Sequence, residues 1–564
     1  MHEQLHPGAS AVTGSVGQLP VRHRVMVCVL SGVLLGCSFP PFPLGFLACF
    51  GLVPLLVVLS DVDQYWPALR LTYIAMVVFH VITLNWTGGY VHGHDMYMMI
   101  AGAVTMLVHP LFYWIPVAAY IAVKRHLGNR AALTALPFLW VAYEYTHSLS
   151  QWSFPWLTIG NSQTYNLAGI QMVSTTGVYG LSFWIIVLNV LVFLLTTSIG
   201  RQGGPLLQKR TMLLAVGTLV LYLLPIAYGT VVLRRHPAED LLPRPGSPSV
   251  TVGMVQPNLD PWDKWTLSGV QTIELYERET RRLMDSVGSA RPDIVLWPET
   301  AIPIYLLVPR YAGLLGRFKQ DVTGLGVSVL SGLPQAVFYP DSSRAPRTAK
   351  RIPGTGERFD AFNAAAFFQP GSDSIPWYGK MKMVPLAERV PYAEMFAFLD
   401  FLRWDVGIGG WQVGPDSTIF RDRRTGTRFC TMICYESVYP SFVASFVRKG
   451  AEFIAIITID SWWGKMSGAY QHAQFAILRA VENHRWVARC ALGGISCYID
   501  PYGRIYDRTD LLTPALLSMN IGRTTELTTY TQAGDWLSEI CLIVSGLFLM
   551  ASLGQRFRRQ QKNT

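Results

Sequence analysis

The sequence predicts a multi-pass α-helical membrane domain joined to one large α/β domain outside the bilayer. Three observations predict it. The 564 residues are 51% hydrophobic and only 15% charged, with a mean hydropathy of +0.28. The apolar character is uneven: residues 24–234 and 536–553 carry sparse charge, whereas 235–535 has the balance of an ordinary globular domain. Within 235–535, short β-branched runs alternate with helical stretches, the pattern of a sheet packed with helices.

A helix needs about 20 apolar residues to cross the hydrocarbon core. Segments meeting or approaching that length are 24–38, 43–60, 69–88, 96–123, 131–147, 178–198, 212–233 and 536–553, which predicts about eight spans. Pro40, Pro41 and Pro43 separate the first from the second, and 148–165 reads as a re-entrant or interfacial segment. Loop charge tests the count. Arg22, Arg24, Arg70, Lys124, Arg125, Arg130, Arg201, Lys209, Arg210, Arg556, Arg558, Arg559 and Lys562 all fall on one side if eight spans alternate. Loops on the other side are nearly free of Lys and Arg. By the positive-inside rule both termini are cytoplasmic, with 1–23 a disordered leader and 554–564 a basic tail, and 235–535 is extracytoplasmic.

The same distribution accounts for the net charge of +10, and no aromatic-basic stripe supports a nucleic-acid partner. Of the eight cysteines, Cys28, Cys37, Cys49 and Cys541 lie in apolar segments, where Cys is a small hydrophobe. Cys430, Cys434, Cys490 and Cys497 show no CxxC spacing, so no metal site is expected; a Cys490–Cys497 disulfide is left open.

In the α/β region, strands are expected at Ser249–Gln256, Asp293–Trp297, Gly326–Gly332, Phe362–Phe368, Arg428–Ile433 and Phe453–Thr458. Helices are expected at Leu267–Val287, Tyr435–Lys449 and Ala469–Asn483. The stretches 339–358 and 386–415, the latter with Gly407, Gly409 and Gly410, read as mobile loops.

Three chemistry-bearing residues each follow a strand: Glu299 in Trp297-Pro298-Glu299, Lys380 in Tyr378-Gly379-Lys380, and Cys434 in Ile433-Cys434-Tyr435-Glu436. A turn from strand into helix at Cys434 predicts a thiol near helix N-terminal amides, which favour a thiolate. Cys, carboxylate and lysine together suffice for acyl transfer. The base takes the thiol proton, the thiolate attacks a carbonyl, and the lysine with a backbone N–H stabilises the oxyanion.

This ordered Glu, Lys, Cys set resembles the nitrilase superfamily of carbon–nitrogen hydrolases. Combined with the membrane spans, it resembles the bacterial apolipoprotein N-acyltransferase family over nearly the whole chain. The resemblance rests on Trp297-Pro298-Glu299, on Lys380 with Val384-Pro385 and Glu388 eight residues on, and on Ile433-Cys434-Tyr435-Glu436. It extends to Gln256-Pro257-Asn258 with Lys264-Trp265, to Gln471-His472 with Arg479, Glu482 and Arg485, and to Phe154-Pro155-Trp156-Leu157. Departures from the family pattern are Pro257, Ala364, Ile459 and Leu492-Gly493.

The resemblance implies an αββα sandwich, with Glu299 as general base, Lys380 as oxyanion stabiliser and Cys434 as nucleophile. Glu388 would orient Lys380 or assist proton transfer, and Trp265, Tyr435 and Glu436 would line the site. It further implies a monomer in the bacterial inner membrane with its catalytic domain in the periplasm and no cofactor. A phospholipid would donate an acyl chain, through a Cys434 thioester, to the α-amino group of a lipoprotein's S-diacylglyceryl-cysteine. The rival readings are a membrane-anchored amidase of the nitrilase type and a catalytically altered membrane scaffold of the same fold.

Overall fold

A computed structural model describes residues 20–89, 96–202, 208–346, 348–352, 354–392 and 410–563. The expected N-terminal leader up to residue 19, and Gly407 and Gly409 of the expected mobile loop, lie outside these residues.

The apolar segments are helical: α1 (Val21–Cys37), α2 (Ala48–Gly51), α3 (Val53–Ser60), α4 (Tyr65–Leu84), α5 (Met96–Val108), α6 (Trp114–Leu127), α7 (Asn129–Leu149), α8 (Val173–Gln202) and α9 (Lys209–Arg235). Pro110 removes a backbone donor between α5 and α6, and the chain tightens there into a 3-10 turn, His109–Tyr113. After α9 come the short α10 (Ala238–Leu241), then α11 (Gly269–Val287), α12 (Ala312–Leu325), α13 (Pro440–Arg448), α14 (Ser467–Asn483) and α15 (Thr529–Ala533), before α16 (Trp536–Asn563) returns to the bundle. Among the described residues, five helical stretches are long and apolar enough to cross a membrane: Tyr65–Leu84, Met98–Leu127, Gly169–Ile199, Lys209–Arg235 and Trp536–Gln561. The other three expected spans are a 17-residue helix (α1), the broken pair α2–α3, and α7, which holds Pro137 in its interior.

Contacts fix which ends of the bundle lie together. Lys124, in the last turn of α6, donates to the carbonyls of Leu59 (2.9 Å), Ser60 (2.6 Å) and Val62 (3.1 Å), capping the C-terminus of α3. Arg559 of α16 donates to the carbonyls of Arg125 and His126 at the same end. At the opposite end the bundle meets the α/β domain. There α8 bends at Gly177 (φ 65°), where the ring of Tyr530 comes within 2.4 Å of the place a Cβ would occupy, so only glycine fits.

The α/β domain contains two sheets. The strands are β1 (Ser249–Gln256), β2 (Ile294–Leu296), β3 (Ser328–Tyr339), β4 (Lys350–Arg351), β5 (Arg358–Phe368), β6 (Trp377–Gly379), β7 (Phe420–Arg421), β8 (Arg428–Ile433), β9 (Phe453–Thr458), β10 (Val487–Ala491), β11 (Cys497–Ile499), β12 (Ile505–Tyr506) and β13 (Ala515–Gly522). One sheet runs β13-β1-β2-β3-β5-β4, with β6 also on β5; the other runs β12-β11-β10-β9-β8-β7. Each has a parallel centre, β1-β2-β3 and β8-β9-β10, whose crossovers are α11 and α12 in the first and α13 and α14 in the second. Alternation sorts the side chains of β1: Val252 and Met254 join the large core that also holds Ile454 and Ile456, while Val255 joins a second core with α11 and α12. Tyr498 of β11 donates to the carbonyl of Val252 (2.6 Å), tying the sheets together. Cys490 and Cys497 both carry free, buried thiols.

Candidate active site

Glu299 sits on a turn that several contacts hold. The Trp297 ring turns away from the site, stacking on Tyr276 at 4.9 Å while its N–H donates to Thr280 (3.0 Å). Pro298 and Glu299 then pass directly over Gly332 of β3, where an added Cβ would lie 2.4 Å from the Thr300 nitrogen. Thr300 takes a left-handed φ of 45°, an outlier for a β-branched residue. Its hydroxyl accepts a hydrogen bond from buried Lys264.

Lys380 follows β6, with its N–H donating to the Asn363 carbonyl (2.8 Å) and its own carbonyl accepting from Gly414 (2.8 Å). The fully buried ammonium lies 2.7 Å from Glu388 and 3.8 Å from Glu299. Asn363 donates to both carboxylates, at 2.7 Å to Glu299 and 3.5 Å to Glu388. Burial alone would push Lys380 down, but Glu388 and then Glu299 outweigh it and hold the ammonium above the ordinary lysine range. Glu299 is raised, chiefly by burial, with Lys380 opposing.

Cys434 ends β8 in a strained left-handed conformation (φ 55°), a turn held by the surrounding network. Two expectations need correction here. No α-helix opens at Cys434: residues Cys434–Val438 form a 3-10 turn and α13 begins only at Pro440, whose ring cannot continue an earlier helix. Nor is the thiol favoured as a thiolate. Burial pushes it well up, the Glu299 charge pushes it further, and Lys380 and the Thr458 hydrogen bond do not reverse this. Burial thus favours the neutral thiol.

The supporting residues separate into two kinds. Tyr435 reaches the bundle: its hydroxyl donates to the Ser153 carbonyl (3.1 Å) and its ring stacks near Phe154 (5.9 Å) and Trp156 (6.3 Å). Glu436 staples the backbone. It accepts from the Tyr378 hydroxyl (2.6 Å) and the amides of Met381 (2.6 Å), Lys382 (3.2 Å) and Ile433 (2.8 Å), so it joins the lysine loop to the cysteine turn. Burial raises it to about 7 against those donors. Trp265 lies in the 3-10 turn Asp263–Thr266, and its side chain is outside the described residues.

Behind Cys434 lies a network to which the sequence assigned no role. His472 contacts the Cys434 carbonyl (3.1 Å) and the Ser437 hydroxyl (3.0 Å) through Nε2, and Asp460 (2.8 Å) through Nδ1. Asp460 in turn pairs with Arg489 at 2.6 Å. Burial alone would raise Asp460, but Arg489 and His472 hold it down at about 2. The only sequence signal was the Gln471-His472 pair itself.

Glu299, Lys380, Glu388 and Cys434 meet at the wall of a cavity of about 250 Å³. Its lining continues through Trp86 and Trp156 to Met98, Val104 and Val108 of α5. Two carboxylates, an ammonium and a thiol thus face an apolar cavity shared with the helical bundle.

Comparison with known proteins gives two matching family profiles: "Apolipoprotein N-acyltransferase N-terminal domain" over residues 31–191 and "Carbon-nitrogen hydrolase" over residues 251–526. The chain is 34% identical to the apolipoprotein N-acyltransferase of Chlorobaculum tepidum, covering 94% of this chain and 96% of that protein. It is 32% identical to that of Geobacter metallireducens, with 96% of each chain covered. It is 29% identical to that of Azotobacter vinelandii, over 94% of this chain and 96% of that protein. On this full-length similarity, the chain belongs to the apolipoprotein N-acyltransferase family.

Proposed function

We propose that the chain moves an acyl chain from a membrane phospholipid to the α-amino group of a lipoprotein's N-terminal S-diacylglyceryl-cysteine, by way of a Cys434 thioester. In the first half-reaction Glu299 takes the thiol proton and the sulfur attacks the phospholipid ester carbonyl. Collapse breaks the ester C–O bond, and Glu299 returns the proton to the departing glycerol oxygen. In the second, the acceptor amine attacks the thioester, Glu299 takes its proton, the C–S bond breaks and the thiolate is reprotonated. Lys380 and the Tyr435 amide stabilise each oxyanion. Glu388 holds Lys380.

A raised carboxyl suits Glu299 to this exchange, because it gives back the proton that it takes. The observation that carries the reading is the shared cavity: the triad side chains and α5 line one apolar space, as a lipid donor requires. Apolar walls also keep water from the thioester, favouring the amine over hydrolysis.

Eight crossings of the bacterial inner membrane complete the proposal, formed by α1, α2–α3, α4, α5–α6, α7, α8, α9 and α16. Residues 235–535 form the catalytic domain on the periplasmic side, and the enzyme acts as a monomer. The clustering of Lys124 and Arg559 at the bundle end away from the α/β domain supports that orientation.

Intact-mass measurement tests the chemistry. Purified protein incubated with phospholipid gains a fatty-acyl mass that hydroxylamine removes, and Cys434→Ala abolishes the gain. Maturation of lipoprotein N-termini in cells carrying only Cys434→Ala would refute the mechanism. An adduct that never acylates a lipoprotein amine would refute the acceptor.

A further inference from the structure

Gln471 projects from α14 of the α/β domain into the end of the helical bundle, where it is 1% exposed. Its amide oxygen accepts from the indole N–H groups of Trp86 (3.0 Å) and Trp156 (2.7 Å). Its amide nitrogen donates to the carbonyls of Pro40 (2.9 Å) and Thr83 (3.0 Å). The partners fix the orientation, since an indole N–H only donates and a backbone carbonyl only accepts. All four hydrogen-bonding positions of the side chain are filled.

Both indoles held in this way line the cavity beside Cys434. They pack on one another at 4.9 Å, and Trp86 lies 4.4 Å from the ring of Trp463, a further wall residue. The helix is shaped for the same contact at Gly468, where a Cβ would come within 2.5 Å of the Trp86 ring. The residue after Gln471 is His472, which touches the Cys434 carbonyl. One turn of α14 therefore grips the wall of the channel and the carbonyl of the nucleophile together.

We infer that Gln471 is a positioning residue for the acyl chain: by clamping Trp86 and Trp156 it sets where the channel wall stands relative to the Cys434 sulfur. A long chain packed on that wall then presents its ester carbonyl at the thiol, whereas a short ester reaches the thiol without using the wall. The inference rests on the proposed reading of the cavity as the acyl-chain site.

The test compares thioester formation on the full-length enzyme from a long-chain phospholipid and from a short-chain activated ester such as 4-nitrophenyl butyrate. Gln471→Met keeps the length of the side chain and loses all four bonds. It is expected to lower the long-to-short ratio of kcat/KM by about tenfold, the scale of losing one positioning constraint worth about 1.4 kcal/mol. Gln471→Glu keeps both indole acceptors and is expected to retain a ratio near that of the wild type, whatever it does to thermal stability. A merely structural role lowers both rates together and leaves the ratio alone. An unchanged ratio in Gln471→Met, or an equal loss of ratio in Gln471→Glu, overturns the inference. If Gln471→Met does not fold, Trp86→Phe decides, since it removes one clamped N–H and keeps a ring; an unchanged ratio there also overturns it. Failure of the wild type to form any adduct from phospholipid refutes the reading of the cavity itself.

Discussion

The helical bundle and the α/β domain bury polar groups in opposite ways. The α/β domain buries charge against charge: Arg489 with Asp460 at 2.6 Å, Arg479 with Glu482 at 2.7 Å, and Lys380 with Glu388 at 2.7 Å, all at or near zero exposure. The bundle interior uses neutral partners. Asn189 accepts from the Leu52 amide (2.8 Å) and donates to the carbonyls of Ala48 (2.7 Å) and Ile185 (2.9 Å). His80, His109 and His147 contact one another in a row at 2.7 and 3.0 Å. Glu144 accepts from the Trp140 indole and the Ile159 amide, with no ion-pair partner among the described residues. The buried ammonium of Lys124 sits at the bundle's end, where it caps carbonyls and pairs with the exposed Asp63 at 3.0 Å. The difference fits a bundle with five helical stretches, among the described residues, long and apolar enough to cross a membrane. A charge at mid-membrane costs about 2.5–3.5 kcal/mol on insertion, before it meets a partner. A domain that folds in water desolvates both members of a pair as they meet.

The contrast is broken most severely at Arg489. Arg489→Met leaves Asp460 buried without its cation, a loss of about 3–5 kcal/mol, seen as a large fall in unfolding temperature in detergent. Acid adds a signature. Asp460 is held at about 2, below its ordinary value, so its contribution is present above the ordinary carboxylate range and is lost as pH falls through about 2. The wild type should lose this stability across that window, and the variant, left with His472 alone to hold Asp460 down, should lose less of it. Arg489→Met with unchanged thermal stability would remove the basis for the comparison.

In the bundle the corresponding break is smaller. Asn189→Leu removes the side-chain bonds to the Leu52 amide and the Ala48 carbonyl where α2 gives way to α3, a loss of about 2 kcal/mol. Unfolding temperature in the same detergent measures it. A loss as large as that of Arg489→Met would mean that neutral and charged burial are energetically alike here.

This division also explains what the sequence disclosed. The β-branched runs Ser249–Gln256, Arg428–Ile433 and Phe453–Thr458 are observed with their expected ends, because their burial and bounding turns are local properties. The eight apolar segments are helical for the same reason, with lipid requirements written into composition. β10 was missed because Arg489 interrupts its apolar pattern, and Arg489 belongs in a core only beside Asp460, 29 residues away. β3 was cut short at Gly332, since Pro334 reads as a strand breaker, yet the strand runs on to Tyr339. Within the site, Glu299, Lys380 and Cys434 were legible because each stands in a motif shortly after a strand. Asn363 was not, and Lys264 and His472 stood in the resemblance without a role, since each acts on a specific carboxylate, hydroxyl or carbonyl that only the fold brings near.

Lys264 sharpens the comparison with the smallest effect, and with one of unexpected sign. It is a buried cation that burial pushes down to about 7, with the Glu299 charge opposing. Such a lysine costs stability. The cost is full below about 7 and fades as pH rises from there to the ordinary lysine value near 10.4. Lys264→Met therefore raises the unfolding temperature near neutral pH, and the gain shrinks in alkali. What the site loses is a cation beside Glu299, the proposed base. Lys264 is one of the cations that lower Glu299, and it donates to the strained Thr300 beside it. Without it Glu299 rises further, less of it is deprotonated at a given pH, and the acid limb of thioester formation moves to higher pH. The displacement is modest because Lys380 exerts the larger pull on Glu299. Lys264→Arg keeps the charge and should leave the limb near its wild-type place. A limb unmoved in Lys264→Met would make this lysine a packing residue. A limb that moves while stability rises would show a buried charge retained for proton control at a cost in stability, which the bundle's neutral interior does not incur.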